Sequence, residues 1–300
     1  MGVYLKEGRL KISAFRKFVC PIEGDPLAQE NNSLRCDQGH VFDVAREGYC
    51  NLLLVQQKAT LNPGDNKDMV AARRRFLDGG FFLPIAEHLF KIVRELATKA
   101  QNKTLLRIVD AGCGEGYYLC QLSQLAAVSD DPVNLELAGC DISKWAVKAA
   151  SKRSAAIAWV VAGNRQLPFA AGSVDLILSM FGFPGWESFK TAQSDDGCVV
   201  LVEPGLKHLM ELRKIIYPQV NVSEPPSLVV ATENGYILKR EERLKFSIHL
   251  ENNSAICDLL AMTPHAFRIS RKAREDLRAL KSLTVSVDVV FLILRKGGRG

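Results

Sequence analysis

The stretch Arg107-Ile108-Val109-Asp110-Ala111-Gly112-Cys113-Gly114-Glu115-Gly116-Tyr117-Tyr118 decides the fold. An apolar run of β type, Leu105 to Val109, reaches an acid and then breaks on three glycines. A helical pattern follows at once in Tyr118, Leu119, Leu122, Leu125 and Ala126. The reading is strand, tight turn and helix N-terminus. Such a turn lets a ligand approach bare backbone at the positive end of a helix.

The spacing narrows the ligand. A dinucleotide turn reads G-x-G-x-x-G, and its third glycine permits close packing of helix on strand. Here the glycines are Gly112, Gly114 and Gly116, and Tyr117 fills the place of that third glycine. Asp110 stands just before the turn, where a carboxylate repels a pyrophosphate and attracts a cationic amino group. S-adenosylmethionine carries such a group and no phosphate. Asp141 ends a second apolar run, Leu135 to Cys140, where an acid can take both ribose hydroxyls. Ser143 then caps a helix from Lys144 to Lys152. A third run, Ile157 to Ala162, leads into Gly163-Asn164-Arg165-Gln166-Leu167-Pro168-Phe169, and a fourth begins at Ser173. Turn, ribose acid and Leu-Pro-Phe loop in that order resemble the class I adenosylmethionine-dependent methyltransferases. The competing readings are another nucleotide loop, or an α/β domain without a cofactor.

The whole chain bounds the answer. Its 300 residues allow one large domain, or one domain and a small module. At 47% hydrophobic it can bury a full core. No apolar stretch is long enough to span a bilayer, and Met1 to Phe18 lacks a signal-peptide core. The 8 cysteines are scattered rather than framed as disulfides, which predicts a reducing cytoplasm. A net charge of +6 permits a nucleic-acid partner without proving one.

Residues 1–19 form a basic extension, read either as an arm on RNA phosphates or as a solvated tail. Next come Cys20-Pro21-Ile22-Glu23 and, after a loop, Cys36-Asp37-Gln38-Gly39-His40. Two short-spaced pairs across such a loop are the pattern of zinc knuckles, with Pro21 and Gly39 giving the tight turns. Only three soft ligands are present, because the second position of the first pair is Glu23. The alternative is a knuckle fold that has lost its metal. From Gly48 to Asp65 the chain reads as loop. Asp68 to Asp78 reads as a charged helix whose Arg73, Arg74 and Arg75 are candidates for RNA phosphates, with Arg73 and Arg74 foremost, or else form an ordinary solvated face. Phe82 to Ala97 has helical period.

Beyond the fourth strand, Phe181-Gly182-Phe183-Pro184-Gly185-Trp186 falls at a carboxyl strand end, where open α/β sheets place their ligands. Phe181 and Phe183 are candidates for stacking a base swung out of its helix. A fifth strand runs from Cys198 to Glu203, and Leu206 to Ile216 is helical with His208 on it. Two further strands, Leu244 to Leu250 and Thr284 to Leu294, flank a helical segment with a basic face.

Several of these stretches together resemble the RlmA family, the bacterial 23S rRNA guanine-N1 methyltransferases. The carriers are the Cys20–His40 module, Phe42 to Tyr49, Asn51-Leu52-Leu53, Pro63-Gly64-Asp65, Ala72-Arg73-Arg74, Phe76-Leu77-Asp78, the glycine turn, His208 to Leu212 and Met262-Thr263-Pro264. The resemblance covers nearly everything from Cys20 onward. Glu23 stands where the family has a cysteine, and Ser179 to Trp186 departs from the family's fourth-strand end.

The resemblance implies a zinc-ribbon-like, RNA-recognising module at 20–56, linker and helices at 57–102, and a methyltransferase domain at 103–300. That domain is expected to have a Rossmann-like, seven-stranded sheet, with its last two strands as the antiparallel edge. The cofactor is expected on Asp110, Gly112, Gly114, Gly116, Tyr117, Tyr118, Asp141, Ile142, Asn164 and Leu167. Zinc is expected on Cys20, Glu23, Cys36 and His40, and RNA on Arg73, Arg74, Phe181, Phe183 and His208. Glu203 is the candidate base. The reaction is methyl transfer to N1 of a guanine in 23S rRNA, with a homodimer as a candidate assembly. The competing functions are a small-molecule methyltransferase and an RNA-binding homologue without catalysis.

Overall fold

In a computed structural model, residues 15, 17–58, 60–99, 105–130, 133–220 and 227–297 are described. The basic extension lies outside them except at Phe15 and residues 17–19. Three short strands, β1 (Ala28–Glu30), β2 (Ser33–Arg35) and β3 (Val41–Asp43), pair antiparallel in that order as a small ribbon. The chain then enters β4 (Tyr49–Asn51), α1 (Lys67–Asp78) and α2 (Leu83–Lys99). Asn66 starts α1 by accepting from the backbone N–H of Asp68 and Met69, and Gly79 and Gly80 end it.

The main sheet is built from β5 (Leu106–Ala111), β6 (Leu135–Asp141), β7 (Ala158–Val161), β8 (Val174–Met180), β9 (Gln193–Pro204), β10 (Tyr236–Leu250) and β11 (Leu283–Lys296). Between them lie α3 (Tyr117–Ala127), α4 (Lys144–Arg153), α5 (Trp186–Ala192), α6 (Met210–Ile216), α7 (Ser227–Glu233), α8 (Asn253–Ala261) and α9 (Arg271–Ala279). The strand order is β10-β11-β9-β8-β5-β6-β7-β4. β5 through β9 are mutually parallel, and β11 runs antiparallel to both β9 and β10. Every residue of β7 and β8 is buried, which explains why those strands read as unbroken apolar runs. The outer strand β10 alternates instead and carries Lys239, Arg240, Glu241, Glu242, Arg243 and Lys245, charges that protect an open sheet edge.

Among the described residues the sheet has eight strands where seven were expected. The additional one is β4, which pairs parallel with β7 through Tyr49–Trp159, Cys50–Val160 and Asn51–Val161. The stretch after Gly48 was read as loop because three residues carry no periodicity. The backbone of β7 makes them a strand by accepting and donating along its open side. The fifth strand also begins earlier than expected, so that Asp195, Asp196 and Gly197 lie inside β9 at an irregular register with β8.

Alternate strand residues feed two cores. Ile108, Leu137, Trp159 and Leu178 face one layer with Ile85 and Leu89 of α2, Leu119 and Leu122 of α3 and Val147 of α4. Val109, Ala138, Val160 and Ile177 face the other with Phe189 of α5 and Ala231 of α7. Cys20, Leu27, Leu34 and Cys36 of the ribbon belong to that second core, joined to it through Phe15, Phe18 and Phe169.

Candidate cofactor and target site

The strand ends at β5, β6 and β8 converge on the glycine turn. Gly112, Gly114 and Gly116 all have left-handed backbone, at φ 93, 55 and 86°. This conformation opens the turn, and α3 starts on Gly116 with no side-chain cap. By contrast α1, α4, α8 and α9 are capped by Asn66, Ser143, Asn252 and Ser270. The amides of Gly112 and Cys113 donate to the Cys140 carbonyl at 2.8 and 2.9 Å, tying the turn to β6. A Cβ on Gly116 would lie 2.7 Å from the Trp159 ring and 2.9 Å from the Ala150 Cβ. Close helix packing is therefore served by Gly116, one position before the place assigned to Tyr117.

Asp110 is fully buried at the foot of the turn, and among the described residues neither carboxylate oxygen has a hydrogen-bond partner. Burial, with the nearby Asp141 charge, pushes its pKa up to about 8. A buried orphan carboxylate is costly unless something cationic meets it. Asp141 is held differently: its two oxygens accept from the amides of Gly114 at 2.9 Å and Ser143 at 2.8 Å. These bonds fix the acid's direction beside the turn. Ile142 follows it and lines an open cleft with Leu53, Leu61, Asn62, Pro63 and Val161.

Arg73 turns inward from α1 and lies at the glycine turn. Its Nη1 atom is 3.2 Å from the position a Gly114 Cβ would take. The same guanidinium pairs with Asp65 at 2.6 Å and donates to the Met262 carbonyl at 3.1 Å. The Asp65 carbonyl in turn accepts from the Ser143 hydroxyl at 2.6 Å, which clips the segment before α1 over the start of α4. Arg74 points away and pairs with Asp78. Sequence reasoning gave both arginines one role. Helical spacing does not separate them, because each lies three or four residues from buried Val70 and Leu77; their partners in the fold do.

The target side is built on β8 and β9. Ser179 is buried near the end of β8 and its hydroxyl lacks a hydrogen-bond partner among the described residues. Phe181 has left-handed φ, 54°, and its ring stacks on His208 with centroids 5.8 Å apart and planes 26° apart. Phe183 is 92% exposed. Asn164 binds this loop to the cofactor turn by donating to the carbonyls of Phe183, at 2.9 Å, and Ala111, at 3.3 Å. His208 Nδ1 accepts from the Asp288 amide at 3.3 Å, which leaves the proton on Nε2 of the neutral ring. Burial pulls its pKa down to about 4. A neutral ring with a protonated Nε2 stacks and donates; it is not set up to take a proton there. Glu203, the penultimate residue of β9, is in register with Val290 of β11.

Other expected cofactor residues lie deeper. Tyr117 and Tyr118 are buried in the first core, with the Arg153 guanidinium 5.8 Å from the Tyr117 ring centroid. Leu167 is buried in the second core. The structure thus brings Asp110, Gly112, Gly114, Asp141 and Asn164 around the turn. It adds Arg73, Asp65, Ser143 and Ser179, which sequence reasoning had not placed there.

In the ribbon, the donor atoms of Cys20, Cys36 and His40 gather within 4.8 Å of one another. His40 Nδ1 lies 3.6 Å from the Cys20 sulfur and 3.5 Å from the Cys36 sulfur. Zinc bonds of about 2.3 Å to sulfur and about 2.0–2.1 Å to nitrogen, at a tetrahedral angle, separate the two donors by about 3.5 Å. Two thiols and an imidazole at this spacing fit zinc. Glu23 is exposed and outside the cluster, so the fourth position is not filled by its carboxylate. The two knuckles are closed by Gly24 N–H to the Cys20 carbonyl and Gly39 N–H to the Cys36 carbonyl; Gly24, rather than Pro21, closes the first.

Comparison with known proteins agrees with this layout. Residues 18–61 match a family model described as RlmA, N-terminal, and residues 108–201 match one described as a methyltransferase domain. The Bacillus subtilis (strain 168) protein YxjB, provisionally assigned as a 23S rRNA (guanine-N1-)-methyltransferase, is 30% identical over 285 residues, 93% of this chain and 97% of the relative. The 23S rRNA (guanine(748)-N1)-methyltransferase of Streptomyces fradiae is 28% identical over the same shares of the two chains.

Proposed function

Since the chain belongs to the RlmA family of 23S rRNA (guanine-N1)-methyltransferases, we propose that it transfers a methyl group from S-adenosylmethionine to N1 of a guanine in 23S rRNA. One observation carries the reading more than any other: the buried, unpartnered Asp110 carboxylate below an uncapped glycine turn. The donor supplies an activated methyl group. The protein's own work is binding and alignment, the main source of rate when the donor is already reactive.

In this reading Asp110 attracts the donor's amino group, and its carboxyl ionises as that cation arrives. Arg73, anchored by Asp65 and the Met262 carbonyl, holds the donor's carboxylate above Gly114. Asp141, aimed by the Gly114 and Ser143 amides, takes the ribose hydroxyls. Ile142 and the segment around Pro63 enclose the base of the donor. Phe181, braced on His208, offers a flat face at the mouth of β8 for the target guanine, and Ser179 supplies a free hydroxyl below it. Arg73 moves from the RNA surface to the cofactor site. In the ribbon, Cys20, Cys36 and His40 hold zinc, which stiffens the knuckles.

All eight cysteines are free thiols, and among the described residues no helix is long and apolar enough to cross a membrane. The free thiols favour the cytoplasm, where the substrate is made. The test is in-vitro methylation of 23S rRNA with labelled donor, followed by mapping of the modified base. Label on guanine N1 supports the reading. No transfer to RNA, or transfer to another atom, overturns it.

A further inference from the structure

The carboxyl end of β10 lies on the same side of the sheet as the ends of β5, β6 and β8, because β10 runs parallel to them. The chain leaving it, α8 to α9, is therefore laid over the site's side of the molecule. Two contacts fix it there. Arg75 of α1 pairs with Asp258 of α8 through Nε at 2.9 Å and Nη2 at 2.5 Å. Arg73 holds the carbonyl of Met262, which ends α8. The 3-10 turn Pro264–Phe267 follows, tied to α6's end by the His265–Tyr217 hydrogen bond of 2.8 Å.

From this turn onward the surface is unusual. Phe267 stands 74% exposed, a full aromatic ring in water. Around it, residues 268–281 carry six cations, Arg268, Arg271, Lys272, Arg274, Arg278 and Lys281, against two carboxylates, Glu275 and Asp276. α9 buries only Ala273 and Leu277, so its remaining face is charged and exposed. Arg271 is neutralised by Glu275, but among the described residues no acid pairs with Arg268, Lys272, Arg278 or Lys281. A merely solvated helix face mixes both signs. An excess of unpaired cations beside an exposed ring fits a flexible polyanion with stackable bases.

We infer that the Pro264–Phe267 turn and α9 form an RNA-docking surface, with Arg268 and Lys272 on phosphates and Phe267 stacked on an unpaired base. This rests on the proposed rRNA substrate and adds where that substrate lies: beside the cofactor site, on the side opened by Arg73 and Met262.

The experiment measures binding of a 23S rRNA transcript by the full chain across a series of potassium chloride concentrations. Arg268→Ala with Lys272→Ala lowers the slope of log K against log salt by about 1.4–1.8. Phe267→Ala weakens binding about 5- to 150-fold with the slope unchanged. Both variants keep wild-type affinity for S-adenosylmethionine, which shows that they fold. A charge-matched control on the exposed β10 edge, Lys239→Ala with Lys245→Ala, behaves as wild type. Wild-type slope and affinity in the α9-side variants, or an equal loss in the control, overturns the inference while labelled methylation of rRNA by the wild type still stands. Absence of that methylation overturns the function itself.

Discussion

Two neighbouring glycines in one turn predict opposite phenotypes. Gly116 holds φ 86°, and a Cβ there would lie 2.7 Å from Trp159 and 2.9 Å from Ala150. Left-handed backbone costs a residue with a side chain about 1–2 kcal/mol. Forcing a methyl into packed core costs about 1–3 kcal/mol more. Gly116→Ala should then destabilise the fold by about 2–5 kcal/mol. Gly114 also holds left-handed backbone, φ 55°, but its Cβ would meet only the far end of the flexible Arg73 side chain, at 3.2 Å. Gly114→Ala should cost about 1–2 kcal/mol of stability, without the packing cost that Gly116 carries. Its methyl group, however, enters the space between turn and guanidinium, so donor affinity should fall sharply. Urea unfolding followed by circular dichroism reads the first effect, and calorimetric titration with S-adenosylmethionine reads the second. Trp159→Phe removes the ring atom that overlaps, so the double variant Gly116→Ala/Trp159→Phe should lose less than the sum of the two single changes. A Gly116→Ala protein within about 0.5 kcal/mol of wild type, the range of an ordinary surface change, would refute this account of the turn.

Other expectations follow from single groups. The folded Asp110 pKa of about 8 lies above its ordinary 3.8, so the native state holds a proton that the unfolded chain releases, and stability falls as pH rises through that window; Asp110→Asn should flatten this slope in denaturation series, and a slope equal to wild type would sink the assignment. Donor binding near pH 7 should release a proton from Asp110, seen as a buffer-dependent binding enthalpy that the Asn variant lacks. Arg73→Ala should weaken donor binding by about 1.5–3 kcal/mol, the worth of hydrogen bonds to a charged group, whereas Arg74→Ala should leave it unchanged; equal effects would deny Arg73 its place above Gly114. Metal analysis should find one zinc per chain, removable by chelator, and Glu23→Cys should protect it; no metal after reconstitution would leave the ribbon to its apolar contacts.

Much of the site was legible because it depends on local chemistry. Three alternating glycines after an apolar run and an acid cannot do much besides turn, and the structure bends there at all three. The order of strands and the acid Asp141 followed from the same regularities. What escaped depends on distant partners. β4 has three residues and no pattern, and only the open side of β7 makes it a strand. Gly116 was read as a turn glycine facing the ligand, and its packing role depends on Trp159, which lies beneath it from 43 positions along the chain. Arg73 and Arg74 are the same residue type in adjacent positions, and a rotation of one helical step sends one to the turn and the other to Asp78. Glu23 occupied the right position in the spacing but stands outside the donor cluster, since spacing fixes the loop and not the side chain's direction.

The shared core under β4 has a consequence for how this chain can be cut. Cys20, Leu27, Leu34 and Cys36 pack with Val109, Val160 and Phe169, so the ribbon and the catalytic sheet do not own separate interiors. Removing the first fifty residues would strip that layer and open the edge of β7 that β4 covers, while β6 still pairs its other side. An open sheet edge of apolar residues is a template for intermolecular pairing. A truncated protein made to isolate the methyltransferase portion should therefore aggregate rather than report on what the ribbon contributes. Loss of activity in such a fragment would measure solubility, and the ribbon's part in recognition is better tested by point substitutions on its exposed face.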